Sequence, residues 1–253
     1  MVPAFEKHWA LFLDVDGTLV DFVDQPDKLK ASPKLIEILR DLDRLTRGAI
    51  GLVSGRTIAS VDAIFEPLLI PIAGVHGHER RDGLGHTHRA RVDERALSMA
   101  RPRFHEVVDR HPGAFVEEKG QAIALHYRRA EAAAADVETL AFELEHQLPA
   151  PFCVQRGKMV VEIRSCDHSK GSAIEAFMKE PPFQDRIPVF VGDDATDEYG
   201  FQWVNEHQGM SIKVGPEESS ARFRMEGVEQ VVRWLEDYTR FLRRTEGGAG
   251  HAS

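Results

Sequence analysis

Leu11-Phe12-Leu13-Asp14-Val15-Asp16-Gly17-Thr18-Leu19 is the stretch on which the fold turns. A short apolar run ends abruptly in two carboxylates two residues apart, followed by a glycine and a threonine. Strand geometry turns residues i and i+2 toward one face, so Asp14 and Asp16 would stand together where a buried strand stops. Two like charges held that close require a cation or a shared proton. Packing gains nothing from such a pair, and the position reads as a site for chemistry.

Outward from that strand, the first quarter of the chain alternates strand and helix. Ser32-Pro33 has the form of a helix start, with Ser32 as cap and Pro33 at the first helical position. Leu35, Ile36, Leu39, Leu42 and Leu45 then recur at helical spacing until Gly48. A second apolar run, Ala49 to Val53, ends at Ser54-Gly55-Arg56, and Ile58, Val61, Ile64 and Phe65 outline another helix. Ile70 to Gly74 reads as a third strand. This alternation predicts parallel βαβ units whose strand ends share one ligand-binding edge.

The pattern changes near His76. Glu79-Arg80-Arg81-Asp82-Gly83 has hairpin turn chemistry, a helix is expected from about Asp93 to Arg110, and Ala114–Glu118 and Ala122–Tyr127 read as strands. A second helix, about Glu131 to Gln147, precedes a second strand pair, Phe152–Gln155 and Lys158–Ile163, turning at Arg156-Gly157. A helix followed by a hairpin, repeated once, predicts an α/β unit inserted into the first domain. After Arg164 the parallel pattern returns with a helix from Lys170 to Met178, strands Pro188–Val191 and Met210–Val214, and a closing helix marked by Val228, Val231, Val232, Leu235, Tyr238 and Leu242. The expected division is therefore a core of residues 1–75 and 165–245, an inserted cap of residues 76–164, and a flexible tail of residues 246–253.

Composition excludes several classes of function. A net charge of −9 opposes non-specific attraction to nucleic acid or anionic lipid, because an acidic protein releases no counterions from a polyanion. No run approaches the roughly 20 apolar residues of a membrane span, and Met1 to Trp9 is too polar for a signal peptide. A cytoplasmic protein is expected, monomeric, with oligomers left open. Cys153 and Cys166 are the two cysteines, and without Cys-x-x-Cys spacing they read as buried thiols rather than a disulfide or zinc site. His76-Gly77-His78 and His86-Thr87-His88 read as solvent-facing or hydrogen-bonded histidines, since no third spaced ligand accompanies them.

The chemistry-bearing residues fall at strand ends or at a helix start: Asp14 with Asp16, Ser54, Lys170, and Gly192-Asp193-Asp194-Ala195-Thr196-Asp197-Glu198. Carboxylates gathered this densely call for a hard cation, and oxygen ligands without a His or Cys cluster favour Mg²⁺. Beside that cation, Lys170 would neutralise phosphoryl oxygens and Ser54 would donate a hydrogen bond. An aspartate there can attack phosphorus and form an acyl phosphate, dividing hydrolysis into two displacements. Asp16 suits proton transfer.

In order and approximate spacing these segments resemble the four motifs of the haloacid-dehalogenase superfamily of phosphotransferases. The resemblance implies a Rossmann-like core with a parallel sheet and an inserted α/β cap. It implies Asp14 as nucleophile, Asp16 as general acid/base, and a metal held by Asp14, Asp193 and the carbonyl of Asp16, with Asp194 and Asp197 as further ligands or groups that orient water. Ser54-Gly55-Arg56, Ala73-Gly74-Val75-His76-Gly77-His78-Glu79, His126-Tyr127-Arg128, Gly157-Lys158-Met159-Val160-Val161-Glu162 and Gly192 to Glu198 further resemble the trehalose-6-phosphate phosphatase family. That likeness implies a sugar phosphate as partner, with Arg56, Lys119, Lys158 and Glu162 in substrate binding. The alternatives are another capped sugar phosphatase, for sucrose phosphate or a phosphoglycolate-like substrate; a phosphomannomutase; and a silent sugar-phosphate-binding module.

Overall fold

The computed structural model describes residues 2–21, 29–66, 68–90 and 94–247. The chain divides into one unit made of Met1–His88 with Ser169–Ser253 and a second made of Arg89–His168. The first unit opens with β1 (Trp9–Leu13), α1 (Pro33–Thr46), β2 (Ile50–Val53), α2 (Ile58–Phe65), β3 (Ile72–Gly74), β4 (Glu79–Arg81) and β5 (Thr87–Arg89). The second holds α3 (Glu94–Arg110), β6 (Phe115–Glu118), β7 (Ala122–His126), α4 (Ala134–Gln147), β8 (Phe152–Gly157) and β9 (Val160–Ser165). The first unit resumes with α5 (Lys170–Met178), β10 (Ile187–Gly192), α6 (Glu198–Glu206), β11 (Met210–Val214), β12 (Phe223–Met225) and α7 (Val228–Gly247).

β1 is the centre of an eight-stranded sheet in the order β12-β11-β10-β1-β2-β3-β4-β5, parallel from β12 to β3. Its residues alternate between two cores: Trp9, Leu11 and Leu13 pack with α1, α2 and α7, and Ala10 and Phe12 with α5 and α6. Burial on both faces explains the uninterrupted apolar run. Leu13 lies opposite Val191 of β10 and Leu52 of β2, so the segments that follow these three strands emerge side by side at the carboxyl edge of the sheet. α1 starts as read from the sequence: Ser32 accepts the Leu35 amide, and Arg47 and Gly48 leave the helix with positive φ.

The second unit is a four-stranded antiparallel sheet, β6-β7-β9-β8, covered by α3 and α4. Ile123, Leu125, Val161 and Ile163 pack against the helices. The alternate residues form the opposite face, where Glu117, Ala124, Glu162 and Gln155 stand in one row across all four strands.

Several expectations require correction. The hairpin around Asp82 joins the large sheet, because β4 pairs antiparallel with β3; apolar Ile72 and Ala73 supply a ladder that the turn residues alone did not reveal. The second hairpin turns at Lys158-Met159, with Met159 at φ 63, while Arg156 and Gly157 remain in β8. Gly157 is closely packed within β8, where a Cβ would press on the Val160 side chain. Cys153 and Cys166 are not buried thiols: they form a disulfide, with Cα atoms 5.9 Å apart. The β8–β9 register places Cys153 opposite Arg164, one diagonal step from Cys166, a proximity invisible in sequence spacing. His76 and His78 are buried rather than solvent-facing. β12 was not foreseen. α7 continues through Gly247, and the remainder of the expected tail lies outside the described residues. No helix among the described residues is long and apolar enough to cross a membrane.

Candidate active site

Asp14 is the first residue after β1, its amide donating to the Val191 carbonyl at 2.9 Å, and only 4% of its surface is exposed. Lys170 reaches it from the first turn of α5. That helix starts with a reciprocal cap between Ser169 and Ser172, which fixes where the lysine departs. The Lys170 ammonium donates to Asp14 Oδ1 and to Asp197 Oδ1, both at 2.7 Å, in a fully buried triad. Such an arrangement is expensive to assemble and costly to break, about 3–5 kcal/mol for loss of one partner. Stability alone does not explain it.

Asp193 follows β10, and its carboxylate joins those of Asp14 and Asp197 so that one ligand atom of each lies within 4.8 Å of the others. Two glycines permit the approach. Gly17, at φ +82, has the Asp193 carboxylate where its Cβ would stand, and Gly192 has Asp197 there. Asp197 is braced further, with Oδ2 accepting the amides of Asp193 and Asp194, both at 2.9 Å. Asp194 caps the short turn beyond, accepting the amide and hydroxyl of Thr196 at 2.6 Å.

The electrostatics follow from crowding. Burial, with the charges of Asp197, Asp193 and Asp194, drives Asp14 well above the usual carboxylate range despite Lys170. Burial and Asp197 push Asp193 up to about 7. For Lys170, burial alone would favour the neutral amine, but Asp14, Asp197 and Asp194 hold its ammonium well above the ordinary lysine range. Without a cation, then, the ammonium form of the lysine is favoured and the crowded Asp14 and Asp193 carboxylates hold a proton more readily than an ordinary aspartate. A divalent cation would replace that proton, and the hard oxygen donors suit one.

Asp16 points elsewhere. Arg56 grips it with Nε to Oδ2 and Nη2 to Oδ1, each at 2.6 Å. The same arginine donates its amide to Ser54 Oγ at 3.1 Å, and Ser54 is 1% exposed at the end of β2. In the second unit, Lys119 and Glu162 form a nearly buried ion pair at 2.8 Å, while Lys158 is exposed at the tip of the β8–β9 hairpin. Two groups escaped the sequence reading. Glu117, on the same sheet face as Glu162, pairs with His126 at 2.8 Å; alternation along β6 was its signal. Lys213 is 3% exposed inside the apolar run of β11, where a charged residue is unexpected.

A mostly parallel sheet with an inserted α/β unit, and a strand-end aspartate ion-paired to a buried lysine among further carboxylates, is the arrangement that the resemblance to the haloacid-dehalogenase superfamily implies. The chain superposes through 90% of its length on a haloacid dehalogenase-like hydrolase from Bacteroides thetaiotaomicron, covering 98% of that chain with a TM-score of 0.65 at 13% identity. A trehalose-6-phosphate phosphatase C-terminal domain from C. albicans aligns over 92% of both chains with a TM-score of 0.84 at 22% identity. Residues 12–229 match the trehalose-phosphatase family model. Over 241 residues, 95% of this chain and 90% of the other, the sequence is 42% identical to a trehalose-6-phosphate phosphatase of Escherichia coli (strain K12). The chain belongs to the trehalose-phosphatase family and is a phosphoric monoester hydrolase.

Proposed function

We propose that this protein is a Mg²⁺-dependent phosphatase that converts trehalose 6-phosphate and water to trehalose and inorganic phosphate. The observation that carries the mechanism is Asp14 at the end of β1, ion-paired to Lys170 and adjoining Asp193. The metal would be held by Asp14, Asp193 and the carbonyl of Asp16, where it offsets repulsion between carboxylate and phosphate. Asp197 serves as a brace, since the Lys170 ammonium and two backbone amides already engage both its oxygens.

Lys170 and Ser54 bind phosphoryl oxygens and hold phosphorus in line with Asp14. A carboxylate oxygen of Asp14 attacks, an O–P bond forms, and the bond from phosphorus to the sugar oxygen breaks. Asp16 gives its proton to that oxygen, and trehalose leaves. Water then attacks the aspartyl phosphate with Asp16 accepting its proton, the O–P bond to Asp14 breaks, and phosphate is released. Lys119, Lys158 and Glu162 in the second unit bind sugar hydroxyls, and Arg56 contributes to substrate binding. A sugar lacking the matching hydroxyls leaves such groups unpaired, which is how polar sites discriminate. The name of the Escherichia coli relative supports the choice of sugar. The reading includes a cytoplasmic monomer with no nucleic-acid partner. Asp14→Asn tests the nucleophile: a folded variant without turnover is expected, and substantial phosphate release would refute the assignment.

A further inference from the structure

Lys213 belongs to β11 and lies opposite Gly192, the residue before Asp193. Its ammonium is used completely: it donates to the backbone carbonyl of Asp193, to the carbonyl of Val214 at 2.8 Å and to Glu217 Oε2 at 3.1 Å. The lysine is 3% exposed, whereas the Glu217 side chain is 70% exposed. Burying an ammonium whose hydrogen-bonded carboxylate, Glu217, reaches into water is a poor bargain for stability. An apolar side chain of similar volume would serve the strand better.

The geometry supplies another reason. The peptide joining Asp193 to Asp194 is held from both sides, its carbonyl by Lys213 and its N–H by Asp197 Oδ2 at 2.9 Å. Gripping that peptide plane fixes the backbone torsion from which the Asp193 side chain departs. The Asp193 amide is bonded to the same Asp197 oxygen at 2.9 Å. With its flanking peptides locked and its carboxylate pressed against Gly17, Asp193 has little freedom left.

We infer that Lys213 is a positioning residue for the cation site, holding the Asp193 carbonyl so that the carboxylate faces Asp14. This role rests on the metal-dependent reading above. It acts through Asp193 and touches neither substrate nor the reacting atoms. Groups of this kind behind a metal ligand typically change metal affinity by about 10–100-fold.

The test uses the full chain with Lys213→Met and measures Mn²⁺ binding by electron paramagnetic resonance without substrate, alongside steady-state kinetics in Mg²⁺. Mn²⁺ binding is expected to weaken at least about tenfold, with a parallel rise in the Mg²⁺ concentration for half-maximal rate. At saturating Mg²⁺, KM for the sugar phosphate stays at the wild-type value, a split that general loosening of the fold would not produce. A folded Met variant with wild-type Mn²⁺ affinity overturns the inference. Should that variant not fold, Lys213→Gln, which keeps an N–H donor but removes the charge, is measured against the same two outcomes. Wild-type protein that binds no Mn²⁺ refutes the metal-dependent reading itself, whereas binding equal in wild type and variant refutes only the role of Lys213.

Discussion

Arg56 holds Asp16 at two points, Nε to Oδ2 and Nη2 to Oδ1, each at 2.6 Å. The fork engages both oxygens of the carboxylate assigned to proton transfer, and one bond to each oxygen leaves a further lone-pair site on it. Arg56 is itself anchored, through its amide on Ser54 Oγ and its Nη1 on Ser60 Oγ at 3.3 Å. The arginine therefore sets where Asp16 rests between turnovers.

Lysine cannot reproduce a planar two-point grip. Arg56→Lys is expected to lower kcat/KM about tenfold or more while the protein remains folded, since the contact is partly exposed and single exposed ion pairs contribute little to stability. Steady-state kinetics and a thermal melt check both parts. Wild-type kcat/KM in the lysine variant would show that the grip has no part in turnover.

The acidic cluster predicts a pH-dependent response to metal. Burial and the Asp197 charge push Asp193 up to about 7, above the roughly 3.9 of an unfolded aspartate. A carboxyl raised in this way favours the folded state at low pH, and that contribution fades as pH climbs through about 7. A cation that takes the place of the proton has more to stabilise once the proton is gone. Saturating Mg²⁺ should accordingly raise Tm more at about pH 8 than at about pH 5.5. An equal shift at both would mean that the cluster carries no proton for the cation to displace.

The Lys119–Glu162 pair predicts a separation of sugar recognition from chemistry. With both side chains 8% exposed, Glu162→Gln removes a buried charge and one strong acceptor. KM for trehalose 6-phosphate should rise about tenfold or more, by analogy with lost charged hydrogen bonds of about 1.5–3 kcal/mol. Hydrolysis of a small aryl phosphate, which offers no sugar hydroxyls, should change little. Parallel losses on both substrates would place Glu162 in the structure of its unit rather than in recognition.

The Cys153–Cys166 disulfide closes a short loop around the β8–β9 hairpin. Reduction should lower the stability of the Arg89–His168 unit by about 2–4 kcal/mol, read as faster amide exchange in β8 and β9. Exchange unaffected by reductant would show that the bridge adds nothing to the hairpin.

How far the sequence discloses all this depends on the range of the interaction. β1 and α1 are local: an apolar run and a Ser-Pro start specify them, and the structure places both, like the α5 helix, within a residue or two of the expected bounds. Asp14, Ser54 and Asp193 are far apart in sequence but could be gathered by one rule, that parallel strands present their carboxyl ends together. Contacts created by register had no such rule. Cys153 meets Cys166 because of antiparallel pairing in β8–β9, and Lys213 meets the Asp193 carbonyl because β11 lies beside β10. Neither is written in spacing. The Asp16–Arg56 grip lies between these cases: both residues were marked, but nothing local said that they would bind each other.

Phosphate release from trehalose 6-phosphate, sucrose 6-phosphate and glucose 6-phosphate, measured in parallel with Mg²⁺ and with EDTA, bears most directly on the whole reading. Trehalose 6-phosphate should be hydrolysed at least about a hundredfold faster, in kcat/KM, than the other two, and EDTA should abolish the release. Equal rates on all three sugars, or full activity in EDTA, would show that the substrate or the metal has been wrongly assigned.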